Sequence, residues 1–216
     1  MLELSLAIFG AGGLVVLAEI AWRNKLLKGE LARKSVHIAV GTYVAFWPYF
    51  LPKQSIQLIA VAATLTLVVI KRLDLIKVMH DINRWSIGDV LFPVSVLLVL
   101  SYANANWIYT VAILFLSLAD GMAAVIGRKY ASKAHTFNLL GSKKTLQGSL
   151  GYLVFAYLSL AIGYMLGGKE TMMSIPMLAF VGVPVLSTLL EAISPFGLDN
   201  IVVPLFILLA FNSLVS

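Results

Sequence analysis

The chain has 216 residues, 60% of them hydrophobic and 12% charged, against about 45–50% apolar and about 25% charged in an ordinary soluble domain. With a mean hydropathy of +0.94, a water-soluble globule is excluded, and apolar runs near the ~20 residues that cross a bilayer recur along the whole length. The net charge of +6 records orientation in such a chain rather than a nucleic-acid partner, and the lack of cysteine removes disulfides and thiolate nucleophiles.

The composition implies an all-α, polytopic membrane helical bundle forming one domain over residues 1–216. Spans are predicted over residues 4–22, 35–50, 55–70, 90–102, 107–126, 149–166, 174–190 and 201–214. That makes eight, or seven if one of the short second, fourth or eighth segments is re-entrant. The first is too long and, at Glu19, too acidic for a cleaved signal peptide. The first, third and fifth connections carry five, four and five Lys or Arg, whereas the second, fourth and sixth carry one, none and one. The positive-inside rule therefore puts the odd connections in the cytoplasm and the N-terminus outside. Parity brings the seventh connection, residues 191–200, to the same cytoplasmic face.

In chain order, the second span opens on Glu30-Leu31-Ala32-Arg33-Lys34-Ser35-Val36-His37, with His37 one helical turn from Arg33 and Lys34. Two cations and an imidazole can grip a phosphate. Read alone, the cluster is equally an ordinary juxtamembrane basic patch with His37 as a packing donor and Glu19 as its ion-pair partner. Between Lys71 and Ser86, the residues Leu75, Val78, Met79, Ile82 and Trp85 recur at helical spacing opposite Asp74, Lys77, Asp81 and Arg84. That pattern fits an interfacial or connector helix.

Asp120 interrupts an otherwise apolar span, where an ionisable group costs about 2.5–3.5 kcal/mol on insertion scales and marks function by default. It shares one helical face with Ala124 and Gly127, a small-residue strip that lets a backbone or ligand approach. That face leads into Arg128-Lys129 and then Gly141-Ser142-Lys143-Lys144-Thr145-Leu146-Gln147-Gly148-Ser149, just before the next span. Glycines, hydroxyls and paired lysines at a helix start suit an anion. The spacing is not that of a P-loop, because Thr136 stands where the first glycine would be. A solvated positive-inside loop accounts for the basic residues equally well. The seventh connection offers Glu191, Asp199 and Asn200, hard oxygen ligands without nearby cations in sequence, which beside a polyanion point to magnesium. His80 and His135 lack companions at metal-ligand spacing, no HExxH or GxSxG pattern occurs, and Trp22, Trp47, Trp85 and Trp107 mark span edges.

Taken together, these stretches resemble the CTP-dependent lipid-alcohol kinases: dolichol, phytol and farnesol kinases and the CTP-dependent diacylglycerol kinases, related to phosphatidate cytidylyltransferases. The matching residues are Arg33-Lys34 with His37, Arg84, Gly88-Asp89, Phe92-Pro93, Ala119-Asp120-Gly121, Ala123-Ala124 and Gly127-Arg128-Lys129-Tyr130. They continue through the Gly141–Ser149 stretch to Glu191 and Asp199-Asn200-Ile201-Val202-Val203-Pro204. Gln147 stands where members often have Glu, which weighs against a metal role there, and Asp89 stands where Glu is common.

The resemblance implies a membrane kinase domain that moves the γ-phosphate of CTP to the hydroxyl of a lipid alcohol. It implies magnesium on Asp120 and Asp199 with Glu191 as a third carboxylate, and triphosphate on Lys143, Lys144, Arg33 and Lys34. Nucleotide-binding positions extend to Gly127, Arg128, Lys129, Gly141, Ser142, Thr145, Gly148, Ser149 and Asn200, and Asp120, His37 and Lys144 are the catalytic candidates. The ending at residues 199–204 is nearer the prenyl-alcohol branch than the diacylglycerol branch. The alternative is a phosphatidate cytidylyltransferase, whose long C-terminal signature is missing. A transporter would call for midplane polar residues and repeat symmetry, and neither is visible.

Overall fold

The computed structural model describes residues 2–73, 87–131, 135–140, 142–168, 173 and 175–215. Among the described residues, eight helices form: α1 (Leu2–Arg23), α2 (Gly29–Ala45), α3 (Lys53–Leu73), α4 (Gly88–Tyr102), α5 (Asn106–Tyr130), α6 (Leu146–Gly167), α7 (Met177–Ile193) and α8 (Asp199–Val215). Each apolar segment of the sequence has become a helix. Four of them, α1, α3, α5 and α6, are long and apolar enough to cross a membrane, and α4, α7 and α8 are shorter apolar helices. The helix expected between Lys71 and Ser86 lies, from residue 74 onward, outside the described residues, as do His80, Arg84 and Gly141.

Helix α5 is the axle of the bundle. Of its apolar stretch, 72% is buried inside the protein, against 6% for α1 and 11% for α3. It packs on α2, α6 and α8, while α1 leans on α2 and α3 leans on α4. The outer helices present Leu6, Phe9, Leu17, Leu58, Leu65 and Val154 to the outside, a surface that water would penalise and lipid tails do not.

Close contact between α2 and α5 depends on two glycines. A methyl group on Gly121 would stand 2.2 Å from Ile38 Cγ1, and one on Gly41 would stand 2.2 Å from Ser117 Cβ. Small residues at such crossings let helix backbones approach where no hydrophobic effect drives them together. The result aligns the first turns of α2 with the middle of α5.

Two features go beyond an all-α reading. Residues Phe115–Ala119 form a π turn within α5, immediately before Asp120. A short antiparallel hairpin, β1 (Thr136–Leu139) and β2 (Ser142–Thr145), pairs Thr136 with Thr145 and Phe137 with Lys144. Leu140 at its tip takes a left-handed φ of 46°, the conformation tight hairpins need. Four strand residues a side carry no long apolar period, so the charged loop gave no strand signal.

Candidate functional site

At one end of the bundle, the first turns of α2, α6 and α8 meet the last turn of α7 and the Asp120 turn of α5. Ligand oxygens of Asp120, Glu191 and Asp199 lie within 4.8 Å of one another. Asp120 and Glu191 are buried and Asp199 nearly so, with a 12% exposed side chain.

Each carboxylate meets a cation that sequence distance conceals. Lys34 Nζ donates to Asp120 Oδ2 across 86 residues. Lys144 Nζ donates to Glu191 Oε1 and stands 3.7 Å from Asp199 Oδ2. Burial opposes the Lys144 charge, but Glu191, Asp199 and Asp120 outweigh it and hold the ammonium above the usual lysine range. Lys144 reaches them because β2 packs against α6 and α7.

Arg33 engages three of its five N–H donors. Its Nε and Nη2 donate to the two oxygens of Glu30 at 3.1 and 2.7 Å, and Nη1 donates to Asp89 Oδ1 at 3.0 Å. The fork geometry of guanidinium suits such pairing. It ties α2 to α4 and orients the neighbouring Lys34, so the arginine acts here as a clamp between helices.

His37 is committed too. Its Nε2 meets Leu116 O, inside the π turn, at 2.9 Å; a carbonyl only accepts, so Nε2 carries the proton. The same N–H edge is 3.6 Å from Asp120 Oδ2. In this arrangement Nε2 is a donor that ties His37 to the π turn just before Asp120. Glu19 does not serve His37 as expected: it accepts from Arg23 Nε at 3.0 Å, one turn along α1.

Thr145 caps α6, its Oγ1 accepting from Gly148 N at 3.0 Å. A methyl on Gly127 would meet Thr145 Oγ1 at 2.7 Å, and one on Gly148 would meet it at 2.9 Å and Ala123 O at 3.0 Å. Gly127 and Gly148 thus allow the close seam between α5 and α6.

Proline shapes the fourth wall. Pro204 has no N–H to give the carbonyl one turn earlier, that of Asn200, and Ser95 Oγ of α4 donates to that oxygen instead. Asn200 Nδ2 and N donate to Asp199 Oδ1 at 3.3 and 3.0 Å, which leaves Asp199 Oδ2 facing Lys144. Among the described residues, Asn200 Oδ1 is buried without a hydrogen-bond partner, and Tyr152 Oη is buried beside Ser187. Tyr152, on α6, lies in the field of Glu191, Asp120 and Asp199.

The structure therefore gathers Lys34, His37, Asp120, Lys144, Glu191, Asp199 and Asn200, with Thr145, Gly127 and Gly148 beside them. Arg128, Lys129 and Lys143 are exposed on the rim, Lys129 lying over the Tyr130 ring at 5.1 Å. Ser149 is half-buried on α6, Ser142 enters through its backbone pairing with Leu139, and Gly141 lies outside the described residues. Sequence reasoning missed Tyr152, Ser95 and Glu30. Tyr152, a polar tip in an apolar span, and Glu30, one turn before Arg33, carried usable signals. Three buried carboxylates with a nearby amide oxygen are hard donors that fit a divalent cation such as magnesium.

No protein-family model matches the chain, and no solved structure matches it. The chain is similar to a phytol kinase of Synechocystis sp., at 28% identity over 211 residues that cover 94% of this chain and 88% of that protein. The similarity runs along nearly the whole of both chains and agrees with the resemblance to lipid-alcohol kinases.

Proposed function

We propose that the protein transfers the γ-phosphate of CTP to the hydroxyl of a prenyl alcohol of the phytol, dolichol or polyprenol type, with magnesium, at the cytoplasmic face of the membrane. The observation that carries the proposal is the meeting of Asp120, Glu191 and Asp199 with Lys34 and Lys144 at one end of an apolar bundle. A phytol kinase as a full-length relative supports the acceptor class. The cytoplasmic side rests on the Lys and Arg asymmetry, since fourteen of the sixteen lie in odd connections.

In the transfer, the alcohol oxygen bonds to the γ-phosphorus as the bond to the β–γ bridging oxygen breaks. CDP leaves with that electron pair, and the alcohol loses its proton. Such transfers are loose, so positioning and charge neutralisation outweigh early deprotonation. Magnesium on Asp120, Asp199 and Glu191 would supply the neutralising charge at the phosphate oxygens. Lys34 and Lys144 hold phosphate oxygens, and the positive end of the α6 dipole adds to them. Exposed Arg128, Lys129 and Lys143 draw the polyanion to the rim. His37 keeps Asp120 in place through the π turn. The alcohol chain stays in lipid while its hydroxyl reaches the interface.

The test is purified protein in detergent with magnesium and CTP labelled at the γ-phosphate, offered phytol, farnesol, a polyprenol and diacylglycerol. Label entering the organic phase with a prenol is the expected result. Pyrophosphate release with cytidine entering the lipid would replace this reading with cytidylyl transfer, and a better rate with ATP would remove CTP from it.

A further inference from the structure

Lys34 and Lys144 do more than flank the acidic oxygens, because they are in contact with them. Asp120 is taken by Lys34, Glu191 by Lys144, and Asp199 Oδ2 lies 3.7 Å from the same Lys144 nitrogen. A dication among these three side chains would face both ammonium groups at close range in a poorly screened interior, where like charges repel strongly. Metal and both ammoniums therefore cannot share the oxygens in this arrangement. The two lysines are also mounted differently: Lys34 is fixed on α2 with a 5% exposed side chain, whereas Lys144 sits on the short β2 strand and is 17% exposed. Asn200 Oδ1, adjoining Asp199, is buried with no hydrogen bond among the described residues, a neutral oxygen left for a cation or its water.

We infer that Lys34 and Lys144 stand in for the divalent cation in the resting protein and give up the Asp120, Glu191 and Asp199 oxygens only when nucleotide phosphate arrives, so that metal binds together with nucleotide and not before it. The triphosphate offers the displaced ammoniums new anionic partners, which makes the exchange of partners close to charge-neutral. Lys144 moves first, being the less buried of the two. The inference rests on the kinase reading of the site and adds an order of binding to it.

Manganese tests this in the full-length protein in detergent, with bound ion read by electron paramagnetic resonance and equilibrium dialysis, no turnover being needed. Wild type is expected to bind Mn2+ alone at least about tenfold more weakly than Lys144→Met, a coupling in the usual range for linked sites. Adding CTP should restore wild-type retention, and Lys144→Met combined with Asp199→Asn should lose the gain. Lys34→Met serves as the second variant should Lys144→Met fail to fold, and is expected to shift in the same direction. Wild type binding Mn2+ alone as tightly as either variant overturns the exchange while leaving the metal assignment intact. Absence of Mn2+ binding with and without CTP overturns the metal assignment as well.

Discussion

The two ends of the bundle are held by different kinds of bond. At the end remote from the acids, side chains bind backbone oxygens: Thr110 Oγ1 donates to Ala45 O at 2.8 Å, Tyr109 Oη to Val44 O at 3.2 Å, Asn106 Nδ2 to Pro48 O at 3.1 Å and Lys53 Nζ to Ser101 O at 3.2 Å. Asn212 Nδ2 donates to Tyr102 O at 2.7 Å and its Oδ1 accepts from Asn104 N at 3.1 Å. At the other end, α2, α4, α5, α7 and the hairpin are joined by ion pairs. Neutral side chain to backbone bonds have no better partner to move to, whereas an ammonium facing a carboxylate can exchange it for a phosphate. One end fixes the helices and the other can rearrange around an anion.

The sharpest way to break that contrast is Asp120→Asn. Transfer should fall by about 10²–10³-fold or more, the scale for losing a charge-stabilising group, and folding should suffer too. Lys34 is then left buried without its partner, a loss of about 3–5 kcal/mol. Combining Asp120→Asn with Lys34→Met should recover thermal stability in detergent without recovering transfer. A double variant no more stable than the single one would show that the pair does not bridge α2 and α5.

Next in size is Gly121→Val. With Ile38 Cγ1 only 2.2 Å from the position of the new Cβ, overpacking should cost about 1–3 kcal/mol and move Lys34 off Asp120, reducing stability and transfer together. Ser95→Ala removes the donor to Asn200 O; an unsatisfied buried carbonyl costs about 1–3 kcal/mol. Because the Asn200 turn carries Asp199, transfer should fall with the melting temperature. The smallest effect is expected at the far end. Asn212→Ala should lose about 0.5–1.5 kcal/mol with transfer unchanged per folded molecule, and a loss of transfer there would erase the distinction between the ends.

Most of this was legible in the chain where a residue violates its surroundings. Asp120 in an apolar span and the acids of residues 191–200 stand out because charge in lipid is costly, and all three acids meet in the fold. Helices were legible because the bilayer fixes their length. Pairings were not, because a contact such as Lys34 with Asp120 closes over 86 residues and leaves no local pattern. The same holds for Arg33, whose occupation by Glu30 is local but whose tie to Asp89 spans 56 residues. Glu19, expected to pair with the basic patch of α2, accepts from Arg23 one turn along its own helix. The hairpin of residues 136–145 escaped because a charged, four-residue strand has no periodicity to read.

The π turn at Phe115–Ala119 has a consequence for any helical wheel drawn through α5. A wide turn accommodates one residue more than the regular helix, so the side chains after it are rotated by about 100° relative to those before it. Asp120, Ala124 and Gly127 fall on one face because all three follow the turn. Removing a single residue from 115–119 would let α5 run as an unbroken α-helix, equally apolar and equally long, with Asp120 turned away from Lys34. The phase of one helix, set by a single surplus residue, therefore separates an acid aimed at its partners from one lost in the packing.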